Sequence, residues 1–332
     1  MTHFIDAAHR SLRHPFDRYG NFSQLQLPVK MSRRSLVIKR CLVISNPAAG
    51  RVTQSLVARA GAMLSAAGVD AVLYEATSPE DARNRARDAS LDSGLSAVIA
   101  AGGDGTLRDV ASGLVEVGRS SGPAFGILPL GTTNVLAREL AVPFDLEGAV
   151  RVILEGRVGD LFLGIANGAY FMTMASVGFD ASVVATVDRE LKRSIGRGAY
   201  VVAAMRSLIN MPRHEFEISV AGKGSFRAAS VVVAKSLYYG GSFSCAPQAR
   251  VDRPELHFCL FKKPGAVNAM LYAAALGARR LTESDRYQIV IGQEGTITGT
   301  PGLPVQADGD VVTSLPLHVG VASTPLAVLR PD

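Results

Sequence analysis

Apolar positions recur with two different periods in the first half of the chain and mostly with one in the second. Ser35–Ser45 is a β-rich apolar run that stops at the turn Asn46-Pro47-Ala48-Ala49-Gly50-Arg51. Thr53–Ala67 then carries Leu56, Val57, Ala60, Met63 and Leu64 at helical spacing, and Gly68 closes it. Ala71–Glu75 predicts a strand. Ser78-Pro79-Glu80-Asp81 supplies a cap, a proline at the first helical position and acids in the first turn, which predicts a helix to about Ser90. Ser96–Ala101 reads as strand, Leu107–Val117 as helix, Ala124–Leu128 as strand and Val135–Leu140 as a short helix before Pro143.

Strand alternating with helix through about residue 155 predicts an open, mostly parallel sheet covered on both faces, with ligands bound at the carboxyl ends of its strands. After Asp160 the pattern changes to alternating runs such as Glu215–Val220 and Ala229–Ala234, separated by Asn-Gly and Gly-Gly turns. The second half is therefore mainly antiparallel β, interrupted by helices at about Arg197–Asn210 and Val267–Leu281. Leu161–Phe179 is uncharged, but Asn167-Gly168 inside it signals a hairpin rather than a membrane span. The expected organisation is an extension over 1–34, an α/β domain over 35–157 with 316–332 as a candidate completion of it, and a β-rich domain over 158–315.

Charge is unevenly placed. Of the net +6, all is contributed by the first 40 residues, where eight Lys or Arg face only Asp6 and Asp17. A positive arm on a neutral body suggests an anionic surface as partner, nucleic acid or membrane headgroups. Ile5, Ala8, Leu12 and Phe16 recur near helical spacing beside Arg10 and Arg13, as in an interfacial helix, although a frayed basic tail fits equally. The three cysteines are scattered among apolar neighbours, which argues against a disulfide framework or zinc site and for a reducing, cytoplasmic compartment.

The most informative stretch is Gly102-Gly103-Asp104-Gly105-Thr106, between a strand and a helix. Glycines let the backbone approach a ligand and present N–H groups, and a following helix start adds partial positive charge, so the loop suits phosphate oxygens. An aspartate there repels phosphate unless a cation lies between them, which points to a nucleotide-bound Mg²⁺ met directly or through water. No Gly-x-x-x-x-Gly-Lys-Ser/Thr is present, and no Gly-x-Gly-x-x-Gly follows a strand.

Four stretches in order, Asn46-Pro47 with Gly50, Gly102–Thr106, Leu128-Pro129-Leu130-Gly131-Thr132-Thr133-Asn134, and Asp308-Gly309-Asp310, resemble the diacylglycerol kinase catalytic-domain family, which includes bacterial lipid kinases and the sphingosine and ceramide kinases. The resemblance covers about residues 36–330. It implies an amino-terminal α/β nucleotide domain of phosphofructokinase or NAD-kinase type, a β-sandwich carrying the lipid pocket, and an active site in the cleft between them. It implies that ATP is held by Asn46, Pro47, Gly50, Thr77, Gly102, Gly103, Asp104, Gly105, Thr106, Thr132, Thr133 and Asn134, with Mg²⁺ arriving on the nucleotide beside Asp104. The implied partners are ATP, a lipid and an anionic membrane surface met by the arm, not nucleic acid; a homodimer stays open.

The family's acid-Gly-Glu segment falls on Asp308-Gly309-Asp310, with Asp310 in place of Glu. Asp308 is favoured as the base and Asp310 as a supporting contact, with an ordinary Asp-Gly hairpin as the plain alternative. Asp160 and Asp180 fall where the family keeps acids near the cleft, Asp180 as a lipid contact. Bacterial members hold a structural Mg²⁺ with an Asp-Gly pair where this chain has Arg253-Pro254; since a guanidinium cannot ligate a cation, that metal is expected to be absent and Arg253 to pair with Asp160 or another acid. The residues between Leu191 and Arg213 mix basic and apolar side chains, as at the mouth of a lipid pocket or on an ordinary amphipathic helix. The implied activity is ATP-dependent phosphorylation of a lipid hydroxyl, of diacylglycerol or of a ceramide or sphingoid base. An NAD kinase-like enzyme and an inactive nucleotide-binding membrane sensor are the alternatives.

Overall fold

A computed structural model describes residues 34–46, 54–118, 122–178, 181, 214–239 and 241–331. Pro47, Gly50, Asp180, the basic arm and the helix expected at 197–210 lie outside the described residues.

The first domain is a seven-stranded sheet. Its strands are β1 (Arg34–Ser35), β2 (Arg40–Ser45), β3 (Asp70–Glu75), β4 (Ala97–Gly102), β5 (Ala124–Pro129), β6 (Arg157–Leu161) and, from the far end of the chain, β19 (Leu326–Leu329), in the order β1-β6-β19-β5-β4-β2-β3. β3, β2, β4, β5 and β19 run parallel, and β6 closes antiparallel against β19. β2, β4 and β5 are buried along nearly their whole length, as expected of parallel strands covered on both faces. The helices α1 (Gln54–Ala66), α2 (Pro79–Ala89), α3 (Asp104–Glu116), α4 (Val135–Glu139) and α5 (Leu146–Glu155) connect or follow these strands.

Local chemistry sets several boundaries. Ser78 caps α2 by accepting the Asp81 N–H, with Pro79 at the first helical position. Asp145 caps α5 in the same way through Gly148, and Gly156 ends that helix in the left-handed conformation. One boundary differs from expectation. α3 starts at Asp104, not Leu107, so Asp104 and Gly105 belong to its first turn, where an acid is favoured by the helix dipole.

The second domain is a sandwich of two six-stranded antiparallel sheets. One contains β7 (Gly164–Ala166), β8 (Ala169–Phe171), β10 (Phe216–Val220), β11 (Gly224–Ala228), β15 (Glu294–Thr298) and β18 (Leu317–Val321). The other contains β9 (Met174–Val177), β12 (Ser230–Ala234), β13 (Leu256–Phe261), β14 (Tyr287–Gly292), β16 (Pro304–Ala307) and β17 (Asp310–Ser314). Between them lies a core that includes Phe171, Phe216, Phe258, Val305 and Leu317. The β7–β8 turn is Asn167-Gly168 with both residues at positive φ, as the sequence predicts. A further helix, α6 (Ala266–Gly277), packs with the 3₁₀ turn Leu281–Glu283 on the outer face of the second sheet.

Candidate active site

β2, β4 and β5 end side by side, with Ser45 opposite Ala101 and Gly102 opposite Pro129, so Asn46, the Gly102–Thr106 segment and the Pro129–Asn134 loop share one edge of the sheet. The two glycine segments touch. A Cβ on Gly131 would lie 2.3 Å from the Gly103 Cα and 2.7 Å from Asn134 Oδ1, so no side chain fits there. Asn134 adopts φ 49° and ties its own loop together, donating to the Pro129 and Gly131 carbonyls at 3.0 and 2.9 Å and accepting the Gly131 N–H at 3.1 Å. A cavity of about 350 Å³ opens here, lined by Gly131, Thr132, Thr133, Asn134, Arg138 and Leu56 among others. The Thr106 hydroxyl is buried under Gly102 with no hydrogen-bond partner among the described residues, a donor left over for a ligand in a cradle of backbone.

Thr77 stands apart from that cavity. Its N–H and hydroxyl donate to Asp81 at 2.8 and 3.0 Å, which fits a turn preceding α2.

Asp104 does not face bulk water. Its Oδ1 accepts the Leu136 N–H at 3.3 Å across the start of α4. Burial holds its carboxyl above the ordinary aspartate range and the nearby Asp308 charge adds to this, while the amide groups of Val135, Leu136 and Asn134 pull the other way. Among the described residues, no three His, Cys, Asp or Glu side chains gather to hold a metal ion. A cation beside Asp104 would take its remaining ligands from water, backbone carbonyls or a bound molecule.

The Asp308-Gly309 turn, with φ of 48° and 89°, joins β16 to β17 and sends its two acids to different work. Asp308 turns inward. Its carboxylate accepts the N–H of Met172 (2.7 Å), of Thr173 (2.9 Å) and of Met174 (3.2 Å), and the Thr173 hydroxyl at 2.5 Å, which occupies roughly all the lone-pair sites of a carboxylate. Asp310 turns outward, half-exposed, with Oδ2 3.0 Å from an Arg108 nitrogen and about 4.0 Å from where a Cβ on Gly105 would sit.

Arg108 was not among the residues the sequence pointed to. It sits in the first turns of α3, also donates to the Ala307 carbonyl at 3.0 Å, and lies 3.6 Å from Asp109. Burial would depress its guanidinium, but Asp308, Asp109 and Asp310 together hold it fully charged. The signal available was a basic residue placed four positions after an acidic helix start within an otherwise buried stretch.

Asp160 and Arg253 are not joined. Asp160 lies on β6 opposite Ala327, its carboxyl raised by burial and by Asp252. Arg253 points outward to Glu255 at 3.8 Å, and it is Arg250 and Arg330 that reach Asp252, at 2.6 and 3.9 Å. The reason is that the backbone of this loop turns inward. The carbonyls of Arg250, Val251 and Arg253 accept from Nζ of the fully buried Lys235 at 2.8, 3.2 and 2.6 Å. The loop that the resemblance associates with a structural metal thus wraps its carbonyls around the buried Lys235 side chain.

Residues 40–165 match the family model "Diacylglycerol kinase catalytic domain", and residues 173–330 match "YegS C-terminal NAD kinase beta sandwich-like domain". The chain is 30% identical over 231 residues to a protein named diacylglycerol kinase from Bacillus subtilis, covering 68% of this chain and 75% of that one. It is 30% identical over 254 residues to a protein named probable lipid kinase YegS-like from Pseudomonas aeruginosa, covering 76% and 82%. A crystal structure of a diacylglycerol kinase from Bacillus anthracis superposes with a TM-score of 0.71 at 21% identity, covering 89% of this chain and 98% of that one, which shows a shared fold. With both domains matched in order and relatives aligned over most of their length, the chain belongs to the diacylglycerol kinase family of lipid kinases.

Proposed function

We propose that the protein transfers the γ-phosphoryl group of ATP to the hydroxyl of a membrane lipid, either diacylglycerol or a ceramide or sphingoid base. The observation that carries this reading is the approach of the Asp310 carboxylate to Gly105 under the hold of Arg108, which puts a half-exposed acid beside a glycine-rich helix start. The N–H groups of Gly103 and Gly105, the α3 dipole and the Thr106 hydroxyl bind phosphate oxygens. Thr132, Thr133 and Asn134 close the pocket on the rest of the nucleotide. Mg²⁺ bound with the triphosphate would neutralise its charge, Asp104 facing it through water.

Asp310, rather than Asp308, takes the proton, since Asp308 spends its lone pairs on backbone and Thr173. The lipid oxygen bonds to the γ-phosphorus as its proton passes to Asp310; the bond to the β,γ-bridging oxygen breaks, and ADP leaves with that electron pair. Arg108 fixes the Asp310 carboxylate in direction. Incubation with γ-labelled ATP, Mg²⁺ and a panel of diacylglycerol, ceramide, sphingoid base, polyprenol and NAD, resolved by thin-layer chromatography, tests the reading. Label in a phospholipid is expected. Label in NADP alone overturns it in favour of an NAD kinase, and nucleotide binding without turnover on any acceptor overturns it in favour of a sensor.

A further inference from the structure

α6 is built against the usual rule for a surface helix. Apart from Asn268 and Tyr272 its side chains are all apolar or glycine, a composition that belongs inside a protein, yet of its residues only Tyr272 is buried. Tyr272 pins the helix down. Its ring packs edge-on against Phe261 with centroids 5.1 Å apart, and its hydroxyl accepts the Lys263 N–H and donates to the Arg286 carbonyl, each at 3.0 Å. Ala275 and Leu276 pack against the same buried cluster as Tyr272, which includes Val232, Ala234 and Cys259. This leaves Val267, Met270, Leu271 and Ala274, spaced i, i+3, i+4 and i+7, on the opposite face; Val267, Met270 and Leu271 are 66%, 55% and 48% exposed.

Both ends of this apolar stripe are basic. Lys262 and Lys263 lead into the helix, and Arg279 and Arg280 leave it. Arg280 is paired with Glu283 at 2.7 Å and Arg286 lies 4.0 Å from Asp285, whereas Lys262, Lys263 and Arg279 make no ion pair among the described residues. An apolar face of helical length rimmed by unpaired cations complements one kind of partner, an apolar interior under a negatively charged surface. The chain's own basic arm and a second copy of this face both bring the same sign of charge to the rim.

We infer that α6 is a membrane-docking helix, its Val267-Met270-Leu271 face entering the acyl region of an anionic bilayer while Lys262, Lys263 and Arg279 meet the headgroups. The sheet face beneath α6 is also packed by Met174, whose N–H holds Asp308, so the docking helix and the candidate catalytic hairpin are built on one sheet. The inference shares with the proposed function only the expectation that the acceptor lies in a membrane.

Flotation of the full chain with phosphatidylcholine vesicles, with and without phosphatidylglycerol, and without nucleotide, measures docking apart from turnover. Wild-type protein is expected to float with the anionic vesicles and to lose that binding in high salt. Met270→Glu/Leu271→Glu should lower partitioning by about tenfold or more, and Lys262→Ala/Lys263→Ala should lower it on anionic vesicles alone. Far-ultraviolet circular dichroism and a fluorescent nucleotide-binding assay check that both variants are folded. Unchanged flotation of the Met270→Glu/Leu271→Glu protein places docking elsewhere, the arm included, and overturns the inference. A wild-type dimer that this same variant dissociates, seen by light scattering, overturns it in favour of self-association. Docking without lipid phosphorylation would sink the proposed function and leave this inference standing, and the reverse result would do the opposite.

Discussion

Arg108 and Asp310 form an ion pair between the two domains: the guanidinium on the first turns of α3 lies 3.0 Å from the carboxylate on the first residue of β17, and its second arm holds the Ala307 carbonyl before the turn. The contact fixes the hairpin relative to the glycine segment from which α3 begins. It also separates two acids that stand two residues apart, of which the sequence favours Asp308 as the base: Asp308 is bound into the sandwich and Asp310 is held at its edge.

The two acids should therefore fail differently. Asp310→Asn is expected to lower kcat by about 10²–10⁴-fold with little change in thermal midpoint, because it removes a proton acceptor from a half-exposed side chain. Asp308→Ala leaves three backbone N–H groups and the Thr173 hydroxyl without their acceptor and should cost about 2–4 kcal/mol of stability. Steady-state kinetics alongside differential scanning calorimetry separates them; a stable, inactive Asp308→Asn enzyme beside a fully active Asp310→Asn enzyme would reverse the roles.

Gly131→Ala should damage the proposed nucleotide pocket at its base. The added methyl group has the Gly103 Cα at 2.3 Å and the Asn134 amide oxygen at 2.7 Å, both in backbone or in a side chain fixed by three hydrogen bonds. Overpacking of this kind typically costs about 1–3 kcal/mol, and the shift of either loop should raise the dissociation constant of a fluorescent ATP analogue at least as strongly as it lowers the melting temperature. Gly118→Ala, just past the end of α3 in open space but at φ 65°, strains the backbone away from the pocket and is the matched control for lost stability without an effect on binding.

The sequence revealed those parts of this arrangement that rest on local chemistry. Ser78-Pro79 marks a helix start and Asn167-Gly168 a hairpin because cap and turn residues act within a few positions of themselves. The sequence places the start of α3 three residues late because Gly-Asp-Gly looks like loop, while the helix gains from an acid in its first turn. The sequence offers 316–332 as a candidate completion of the first sheet, and of it only β19 enters that sheet, between β6 and β5, while Leu317–Val321 pairs in the sandwich; that division depends on pairing across more than 160 residues, which a short apolar run does not specify. The choice between Asp308 and Asp310 turns on a hairpin that points side chains two residues apart to different neighbours, and the role of Arg108 on a partner some 200 positions away. Neither is written in spacing.

Asp109, buried on α3 beside Arg108, should make stability fall with pH. Burial, only partly offset by Arg108 and Arg83, pushes its carboxyl up to about 6. Between the ordinary aspartate value and that one, the native chain holds a proton that the unfolded chain has released, so the slope of unfolding free energy with pH is negative there. Asp109→Asn should gain about 1–3 kcal/mol over wild type above pH 7 and nothing below about pH 4. Urea titrations across that range read the difference directly. A constant offset at all pH values would mean that Asp109 keeps one protonation state throughout.

Lys235 should be the internal cation on which the site's geometry hangs. Three carbonyls at 2.6–3.2 Å call for three N–H donors, which only the charged ammonium supplies, although burial pulls its pKa down to about 7 against the pull of Asp252, Glu255 and Glu139. Its backbone N–H meanwhile bonds the Thr173 carbonyl at 2.8 Å, and Thr173 is the residue whose N–H and hydroxyl hold Asp308. Lys235→Met keeps the stem's volume and orphans the three carbonyls, for an expected loss of about 3–5 kcal/mol. If the ammonium fills the place of a structural metal, a chelator should leave the melting temperature of the nucleotide-free wild type unchanged, and added Mg²⁺ should not rescue Lys235→Met. A melting temperature that falls with chelator and returns with Mg²⁺ would show instead that the loop 250–255 takes a divalent ion after all, with Lys235 displaced from its carbonyls.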